Sequence, residues 1–346
     1  MPIKHLTLYA ELFAAADRYF KATPWERLTA ELPICIENPR TGKRSLCIGM
    51  GGSGIVRGLA VYVGDRGRSA YDTTVRYSDS FSGFEEEVSP TWALYCQHTL
   101  KLEFANADEK TDFTKELHRE LGLRFRGRMR HPQAEWFAGG VWPQNELDEE
   151  QIRHLTECLD VVAEVASRPI NEIDQLYEYA EEEDQDYVFQ AADDGWRESR
   201  LPRIEIAPWF VLPRPRIPTM ILPKPPSEDS PRQLAVLVFP QNSPIDDPRD
   251  AAPYFPIIGI VVNTGDGQIV GQQVFSPWSL ADDMGEWFGE VVRQFSPLNT
   301  LIPCADTPTE HLLQGFAQRY GFVVQAFPNQ EAFGILRQSL LEMRAR

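Results

Sequence analysis

A dense run of prolines constrains this chain more than any other feature of its sequence. Nine of the 27 prolines in the 346 residues fall between Leu201 and Pro231. Because proline has no backbone N–H and fixes φ, such a density excludes a helix and a central β-strand. We therefore predict an extended, rather stiff linker over residues 201–233, between an N-terminal domain at 1–200 and a C-terminal domain at 234–346.

The composition indicates a folded, acidic protein. Hydrophobic residues make up 42% of the sequence, and the formal net charge is −17. This charge disfavours binding to nucleic acid or to an anionic membrane, because attraction to phosphate needs positive charge. The sequence contains no run of about 18 apolar residues, so it predicts no membrane span. The N-terminus lacks a signal-peptide pattern, and the five cysteines form no C-x-x-C pair. We therefore expect reduced thiols and a cytoplasmic location.

A glycine-rich stretch, Ser45–Gly64, carries the spacing G-x-G-x-x-G at Gly49, Gly51 and Gly54. A dinucleotide site needs a strand before these glycines and a helix after them. The residues after Gly54 are mostly β-branched, aromatic or glycine, which favours a strand over a helix. We therefore predict two strands joined by a glycine turn, and no nucleotide cofactor.

The first of these strands is also expected to form a hairpin with the segment that precedes it. Pro33–Glu37 and Ser45–Met50 have the pattern of an antiparallel pair, and a turn centred on Thr41 places Cys35 opposite Cys47. Two small buried side chains explain this pair best, and a redox or metal-binding pair is the alternative.

Three further expectations concern the N-terminal domain. Thr91–Gln97 has the composition of a strand. The strongly acidic stretch Asn171–Gly195 is expected to be an exposed segment. His118 and His154 lie on predicted amphipathic helices and are expected at the surface or at its boundary.

The sharpest local pattern is Leu123–Arg130, where four arginines alternate with Leu, Phe, Gly and Met. These arginines are Arg124, Arg126, Arg128 and Arg130. In a strand, the alternation places four guanidinium groups on one face and the apolar side chains on the other. Such a face is a candidate site for a phosphate, a nucleic-acid backbone or an acidic partner. The alternative is a solvated face balanced by the many carboxylates, or a charged edge that prevents strand pairing.

The sequence of the C-terminal domain predicts a short strand and a hairpin, followed by alternating helices and strands. The predicted elements are a strand at 234–239, a hairpin at 257–275, a helix at 279–295, a strand at 300–305, a helix that begins with Thr307 as its cap, a strand at 322–326 and a last helix at about 330–344. This order is similar to part of a ribonuclease-H-like fold.

Enzymes with that fold hold two divalent metals with carboxylates from the first strand, the first helix and the following strand. The corresponding residues here are Asn263, a helix acid such as Asp283 or Glu286, and Asp306. Asparagine is a poor replacement for a bridging carboxylate. No lysine follows Lys224, so a nucleic-acid groove is not indicated. We therefore expect no metal site.

Several segments in both domains carry a family resemblance. Over residues 5–170 they are Pro24-Trp25, LCIGMGGSGIVRGLAVYVGDRG, ELGLRFRGRMRHP and LDEEQIRHLTECLDVVAEVA. Towards the C-terminus they are PYFP at 253–256, IIGIVVNTGDGQIVG and SPLNTLIPCAD. These segments resemble an uncharacterised bacterial family in which two domains of unknown function are joined. The resemblance implies a two-domain bacterial cytoplasmic protein, and it transfers no catalytic residue.

The sequence therefore predicts an α+β N-terminal domain with antiparallel hairpins and an α/β C-terminal domain. Because no coherent catalytic set is present, we expect a non-catalytic binding or regulatory protein without a cofactor. Its expected partner is a protein or a small anionic ligand. The alternative is a metal-dependent phosphoryl hydrolase or nuclease that uses Asp306 with Asp283 or Glu286.

Overall fold

A computed structural model describes residues 3–28, 33–76, 91–93, 95–180, 185–193, 195–206, 212–220, 234–241, 243–246, 250, 252–295, 300–327 and 333. The chain divides into two units. Unit 1 comprises Met1–Tyr71, Gln97–Ala138 and Pro143–Ala207, and unit 2 comprises Asp72–Cys96, Gly139–Trp142 and Pro208–Arg346. The domain boundaries near 200 and 233 stay predictions. The predicted last helix at 330–344 lies outside the described residues, apart from Phe333.

Unit 1 is built on a seven-stranded sheet. Its strands are β1 (Ile34–Glu37), β2 (Arg44–Met50), β3 (Gly58–Val63), β4 (Thr99–Ala105), β5 (His131–Phe137), β6 (Gln185–Ala192) and β7 (Gly195–Pro202). They lie in the order β5-β4-β3-β2-β1-β6-β7. All neighbours pair antiparallel except β1 and β6, which are parallel.

Helices cover the sheet of unit 1 and close its main core. They are α1 (Leu6–Ala22), α2 (Gly64–Tyr71), α3 (Asp112–Glu120), α4 (Glu149–Ala166) and α5 (Ile170–Ala180). Apolar residues three and four apart give α1 and α4 one buried stripe each. Leu12 of α1, Leu155 of α4 and Leu59 of the sheet belong to the same buried cluster. A capping box of Asp148 and Gln151 begins α4.

The glycine-rich hairpin is confirmed. Strands β2 and β3 pair antiparallel from Ser45 opposite Val63 to Met50 opposite Gly58, and no helix follows the glycine turn. Gly58 is required for packing, because a Cβ there would lie 2.0 Å from the Leu102 carbonyl oxygen. The stretch therefore lacks the strand–helix context of a dinucleotide site.

The hairpin of β1 and β2 is present, but its predicted register is wrong. Ile34 lies opposite Cys47, and Cys35 lies opposite Leu46. Because neighbouring side chains on a strand point to opposite faces, this shift of one residue separates the two thiols. Cys47 lies in the main core, and Cys35 lies in a smaller cluster with Leu46.

Two other predictions for the N-terminal domain are wrong. Residues 91–93, 95 and 96 are helical and not a strand, and they belong to unit 2. Trp92 is fully buried there, so tertiary packing overrides the local strand propensity. The acidic stretch Asn171–Gly195 contains most of α5 and all of β6. Ile173 and Val188 are fully buried, so this stretch contributes to the interior of unit 1.

Unit 2 has a five-stranded mixed sheet. Its strands are β8 (Leu234–Pro240), β9 (Ile257–Asn263), β10 (Gln268–Phe275), β11 (Leu301–Cys304) and β12 (Val323–Ala326), and its helices are α6 (Leu280–Phe295) and α7 (Thr307–Tyr320). The strands lie in the order β10-β9-β8-β11-β12. The pairs within β8–β10 are antiparallel, and β11 is parallel to both β8 and β12. The predicted order of hairpin, helix, strand, helix and strand is confirmed.

A proline-rich segment of unit 2, Leu212–Met220, lies extended against α6 and α7, and we call it the proline strap. The Arg216 N–H donates to the Ala281 carbonyl oxygen at 2.8 Å. Gly285 makes this approach possible, because a Cβ there would lie 2.1 Å from the Arg216 carbonyl oxygen. This part of the predicted linker therefore packs on unit 2.

Candidate functional site

The arginine-rich segment at residues 123–130 is a loop between α3 and β5, which corrects the predicted strand. Gly122 ends α3 with a φ of 65°, and two further positive φ angles interrupt the segment, 106° at Gly127 and 50° at Met129. A strand needs φ near about −120 to −140° at every position. The alternating residue pattern therefore does not produce an extended backbone here. We call residues 123–130 the arginine loop.

Apolar side chains and backbone hydrogen bonds fix the arginine loop to unit 1. Met129 is buried, and its N–H donates to Asn106 Oδ1 at 3.0 Å. The Leu123 N–H donates to the His118 carbonyl oxygen at 2.9 Å. The Phe125 and His118 ring centroids are 5.0 Å apart. All four arginines of the loop are exposed. The sequence pattern thus still directs the apolar residues inward and the arginines outward.

Three of the four arginines lack an ion-pair partner among the described residues. Within the described ranges, Arg124, Arg126 and Arg128 form no ion pair and no hydrogen bond. Arg130 differs, because its Cζ lies 3.9 Å from the Phe20 ring centroid in a cation–π contact. The first three guanidinium groups therefore keep all their N–H donors available for a partner.

The surroundings of the loop add little compensation. Burial lowers the pKa of His118 to about 4. Burial and then the Lys110 charge lower the pKa of His131. Both imidazoles are therefore neutral at neutral pH. Glu109 is a nearby, fully exposed carboxylate. Hydrogen bonds from Asn106 lower its pKa most, and the Arg128 charge contributes least. The loop is thus a local positive region on an acidic protein.

Asp306, the strand-end carboxylate of the catalytic alternative, has structural partners. It is the N-cap of α7, in place of the predicted Thr307. Its Oδ1 accepts the Thr309 N–H at 2.8 Å, and its Oδ2 accepts the Trp92 Nε1–H at 3.0 Å. Asp306 is fully buried. The sequence did not reveal Trp92 as a partner, because the segment that carries it has strand propensity.

The other members of the catalytic alternative do not gather around Asp306. Asp283 is half-buried on α6, and Glu286 is exposed. Asn263 ends β9, and its Oδ1 accepts the Gly265 N–H at 3.1 Å in the hairpin turn. Strand β8, the neighbour of β11, contains no carboxylate. Among the residues that the structure describes, no three His, Cys, Asp or Glu side chains are grouped to hold a metal ion.

Both histidines that were expected at the surface are buried, which corrects that prediction. His154 Nε2 lies 2.8 Å from Ser45 Oγ, and the Cys158 Sγ lies 3.8 Å from the same nitrogen. Burial lowers the pKa of His154, but Cys158 and Glu157 outweigh it and raise the pKa to about 10. The Glu157 carboxylate is in turn bound by both terminal nitrogens of Arg40 at 2.6 and 3.1 Å. Ser45, His154 and Cys158 are buried and tie α4 to β2, whereas the Arg40–Glu157 pair lies at the surface. The spacing of His154, Glu157 and Cys158 on one helix face was the signal of this cluster in the sequence.

Fold and site together define a two-unit α/β protein with an exposed arginine loop. Residues 9–189 match the family described as "Domain of unknown function (DUF7309)", and residues 222–341 match the one described as "Domain of unknown function (DUF6930)". The first match covers more than half of the chain, so the chain belongs to the DUF7309 family. The two-domain family expected from the sequence is thereby confirmed. No curated protein and no solved structure matches the chain. In the part of the chain that the structure describes, every helix is too short or too polar to cross a membrane.

Proposed function

We propose that this protein is a non-catalytic binding module and that its arginine loop binds an acidic segment of a partner protein. The observation that carries the proposal is the set of three outward guanidinium groups, Arg124, Arg126 and Arg128, without ion pairs among the described residues. A guanidinium group has five donors in a planar fork that matches a carboxylate. The buried Met129 and the backbone hydrogen bonds of Leu123 and Met129 hold the loop in place before a partner arrives, which reduces the entropy cost of binding.

The chemistry of the loop favours a short acidic segment over a nucleic acid. Nucleic acids carry about one charge per 1.7 Å of duplex and are bound by extended basic surfaces. The loop spans eight residues, and the whole chain carries a net charge of −17. At physiological salt, charges more than about 8 Å apart are largely screened, so the loop attracts the charges that lie directly on it. The acidic body repels the further charges of a long nucleic acid. A few carboxylates on a flexible peptide suit this short range of attraction.

A direct test is a fluorescence-anisotropy titration of fluorescein-labelled decaglutamate with the full chain. The test variant combines R124S, R126S and R128S. If each exposed guanidinium contributes about 0.5–1 kcal/mol, the three together contribute about 1.5–3 kcal/mol. We therefore expect the Kd to rise roughly ten- to hundredfold in the variant. Unchanged binding in the variant would overturn the proposal.

A second triple variant serves as the matched control, because it removes the same number of charges elsewhere. It combines R18S, R153S and R293S, which are exposed arginines already paired with Asp160, Glu149 and Glu290. We expect the Kd of this control to stay within about threefold of the wild type. An equal loss in both triple variants would indicate a nonspecific charge effect and contradict the site. Tighter binding of single-stranded DNA than of decaglutamate would contradict the assigned partner class.

We also infer that unit 2 has a ribonuclease-H-like topology without its catalysis. Counted within unit 2, the strands lie in the order 3-2-1-4-5, with the first three antiparallel and the last two parallel to the first. That topology takes a metal-binding carboxylate from its first strand. The first strand here is β8, and not β9, whose last residue Asn263 had been assigned to this position from the sequence. The sequence of β8, LAVLVFP, contains no carboxylate. Both oxygens of Asp306 have hydrogen-bond donors inside the protein.

The catalytic alternative is tested by incubating the protein with RNA, DNA and nucleotides in the presence of Mg²⁺ or Mn²⁺. A non-catalytic unit 2 predicts no turnover above that of a heat-denatured sample. Turnover that is lost in the E286Q variant would overturn this inference. Glu286 is exposed, so its replacement leaves the fold intact and the result interpretable.

A further inference from the structure

A cavity of about 250 Å³ lies in unit 2 between the proline strap and α7. Its lining combines four polar side chains with an apolar floor. Prominent members are Arg214, His311, Gln314, Gln318, Pro215 and Ile217.

The wall that the strap contributes is held in place by several contacts. Ile217 rests on Gly315 of α7, where a Cβ would lie 2.9 Å from Ile217 Cδ1. The Tyr320 hydroxyl donates to the Pro218 carbonyl oxygen. The Arg319 guanidinium donates to Thr219 Oγ1 at 3.0 Å. Because the prolines also restrict the strap backbone, the cavity exists before any ligand binds.

The cavity has one cation that lacks a counter-ion in the described part of the chain. Arg214 is exposed, and no described carboxylate pairs with it. Arg216, two residues further along, pairs instead with Asp282 at 2.8 Å. Burial and then the Arg214 charge lower the pKa of the His311 imidazole, so it is neutral at pH 7. A neutral imidazole can donate or accept a hydrogen bond beside the guanidinium group.

We propose that this cavity binds a small organic carboxylate, with the carboxylate on Arg214 and its apolar part against Pro215 and Ile217. A single guanidinium group matches a carboxylate in charge and in its two parallel hydrogen bonds. The apolar floor requires a carbon skeleton and not an inorganic anion, since burying apolar side chains against a hydrated ion gains little. The amides of Gln314 and Gln318 supply further hydrogen bonds at the rim.

Benzoate is a suitable probe because it fits the cavity and has a neutral isostere, benzamide. Binding of both to the full chain is measured by ligand-observed NMR titration. We expect saturable benzoate binding, and at least tenfold weaker binding of benzamide, since a hydrogen bond to a charged group is lost. R214Q is expected to weaken benzoate binding by at least tenfold. R216Q is the matched control on the same strap and is expected to bind as the wild type does.

Three results would overturn the proposal. They are the absence of saturable benzoate binding, equal affinity for benzoate and benzamide, and equal loss in R214Q and R216Q. The triple variant of the arginine loop, with R124S, R126S and R128S, must keep benzoate binding. A loss there would place the carboxylate in unit 1 and not in this cavity. The outcome is therefore independent of the function proposed for the arginine loop.

Discussion

Replacing Gly285 with alanine is expected to destabilise unit 2, although alanine is normally the better residue inside a helix. An alanine Cβ at this position would lie 2.1 Å from the Arg216 carbonyl oxygen, more than 1 Å closer than ordinary van der Waals contact. The position of the Cβ is fixed by the backbone of α6, and the oxygen belongs to the backbone of the strap. No side-chain rotation can therefore relieve the contact. The strap must move away from α6, and the 2.8 Å hydrogen bond from the Arg216 N–H to Ala281 is then lost.

The expected magnitude combines three contributions. The better helix propensity of alanine stabilises α6 by about 1 kcal/mol. Forcing an extra methyl group into a packed interface costs about 1–3 kcal/mol, and losing one backbone hydrogen bond costs about 1 kcal/mol. The net effect is a destabilisation of about 2 kcal/mol. For a unit of this size it lowers the melting temperature by about 4–8 °C.

Hydrogen exchange measured by mass spectrometry provides the assay specific to the strap. In the wild type the Arg216 amide is protected by its hydrogen bond, and in G285A the peptide covering 212–220 is expected to exchange faster. E286A is the control, because it changes the adjacent, exposed position of the same helix. Its melting temperature is expected to change by no more than about 2 °C. If G285A melts higher than the wild type and leaves the exchange of 212–220 unchanged, the packing of the strap on α6 is refuted.

Two further predictions concern single buried groups. D306A removes an N-cap worth about 1 kcal/mol and the acceptor of the buried Trp92 Nε1–H, worth about 1–3 kcal/mol, so urea unfolding should show a loss of about 2–4 kcal/mol. A D306A protein as stable as the wild type would contradict the structural role of this residue. Burial lowers the pKa of His118 from 6.5 to about 4, so the unfolded chain binds a proton in this interval that the folded chain does not. This histidine therefore makes unit 1 less stable as the pH falls from about 6.5 to 4. H118Q is expected to flatten the pH dependence of the melting temperature relative to H5Q, which replaces an exposed histidine. Coinciding profiles of the two variants would rule this effect out.

Local patterns predicted those parts of the fold that depend on neighbouring residues. The strand pair β2–β3 follows from the alternating apolar residues Leu46, Ile48 and Met50 before a glycine turn and from β-branched and aromatic residues after it. The order of elements in unit 2 follows from alternating strand and helix periods, with a clear turn at Thr264–Gly267 between β9 and β10.

Tertiary contacts explain why other parts could not be predicted. The segment around Trp92 has strand propensity, yet it is helical with Trp92 buried against Asp306. Three glycines inside helices, Gly285, Gly289 and Gly315, mark where the proline strap approaches α6 and α7. The sequence contains these glycines, but a lone helical glycine does not reveal which segment lies on it.

The sequence predicted which residues of the candidate site are exposed, but it did not predict their backbone conformation. The alternation in Leu123–Arg130 correctly separates exposed arginines from inward apolar side chains. It did not reveal that Gly127 and Met129 have positive φ, because methionine rarely adopts that conformation. The cavity beside Arg214 had no signal at all in the sequence, since its two walls are far apart along the chain.

The most direct test of the proposed function is to observe the guanidinium groups themselves during binding. Arginine Nε–Hε resonances of the ¹⁵N-labelled full chain can be assigned by single Arg→Lys substitutions and followed while decaglutamate is added. Binding at the arginine loop predicts saturable shifts for Arg124, Arg126 and Arg128, and no shifts for the ion-paired Arg18 and Arg153. Shifts of equal size at all five arginines, or at none of them, would contradict it.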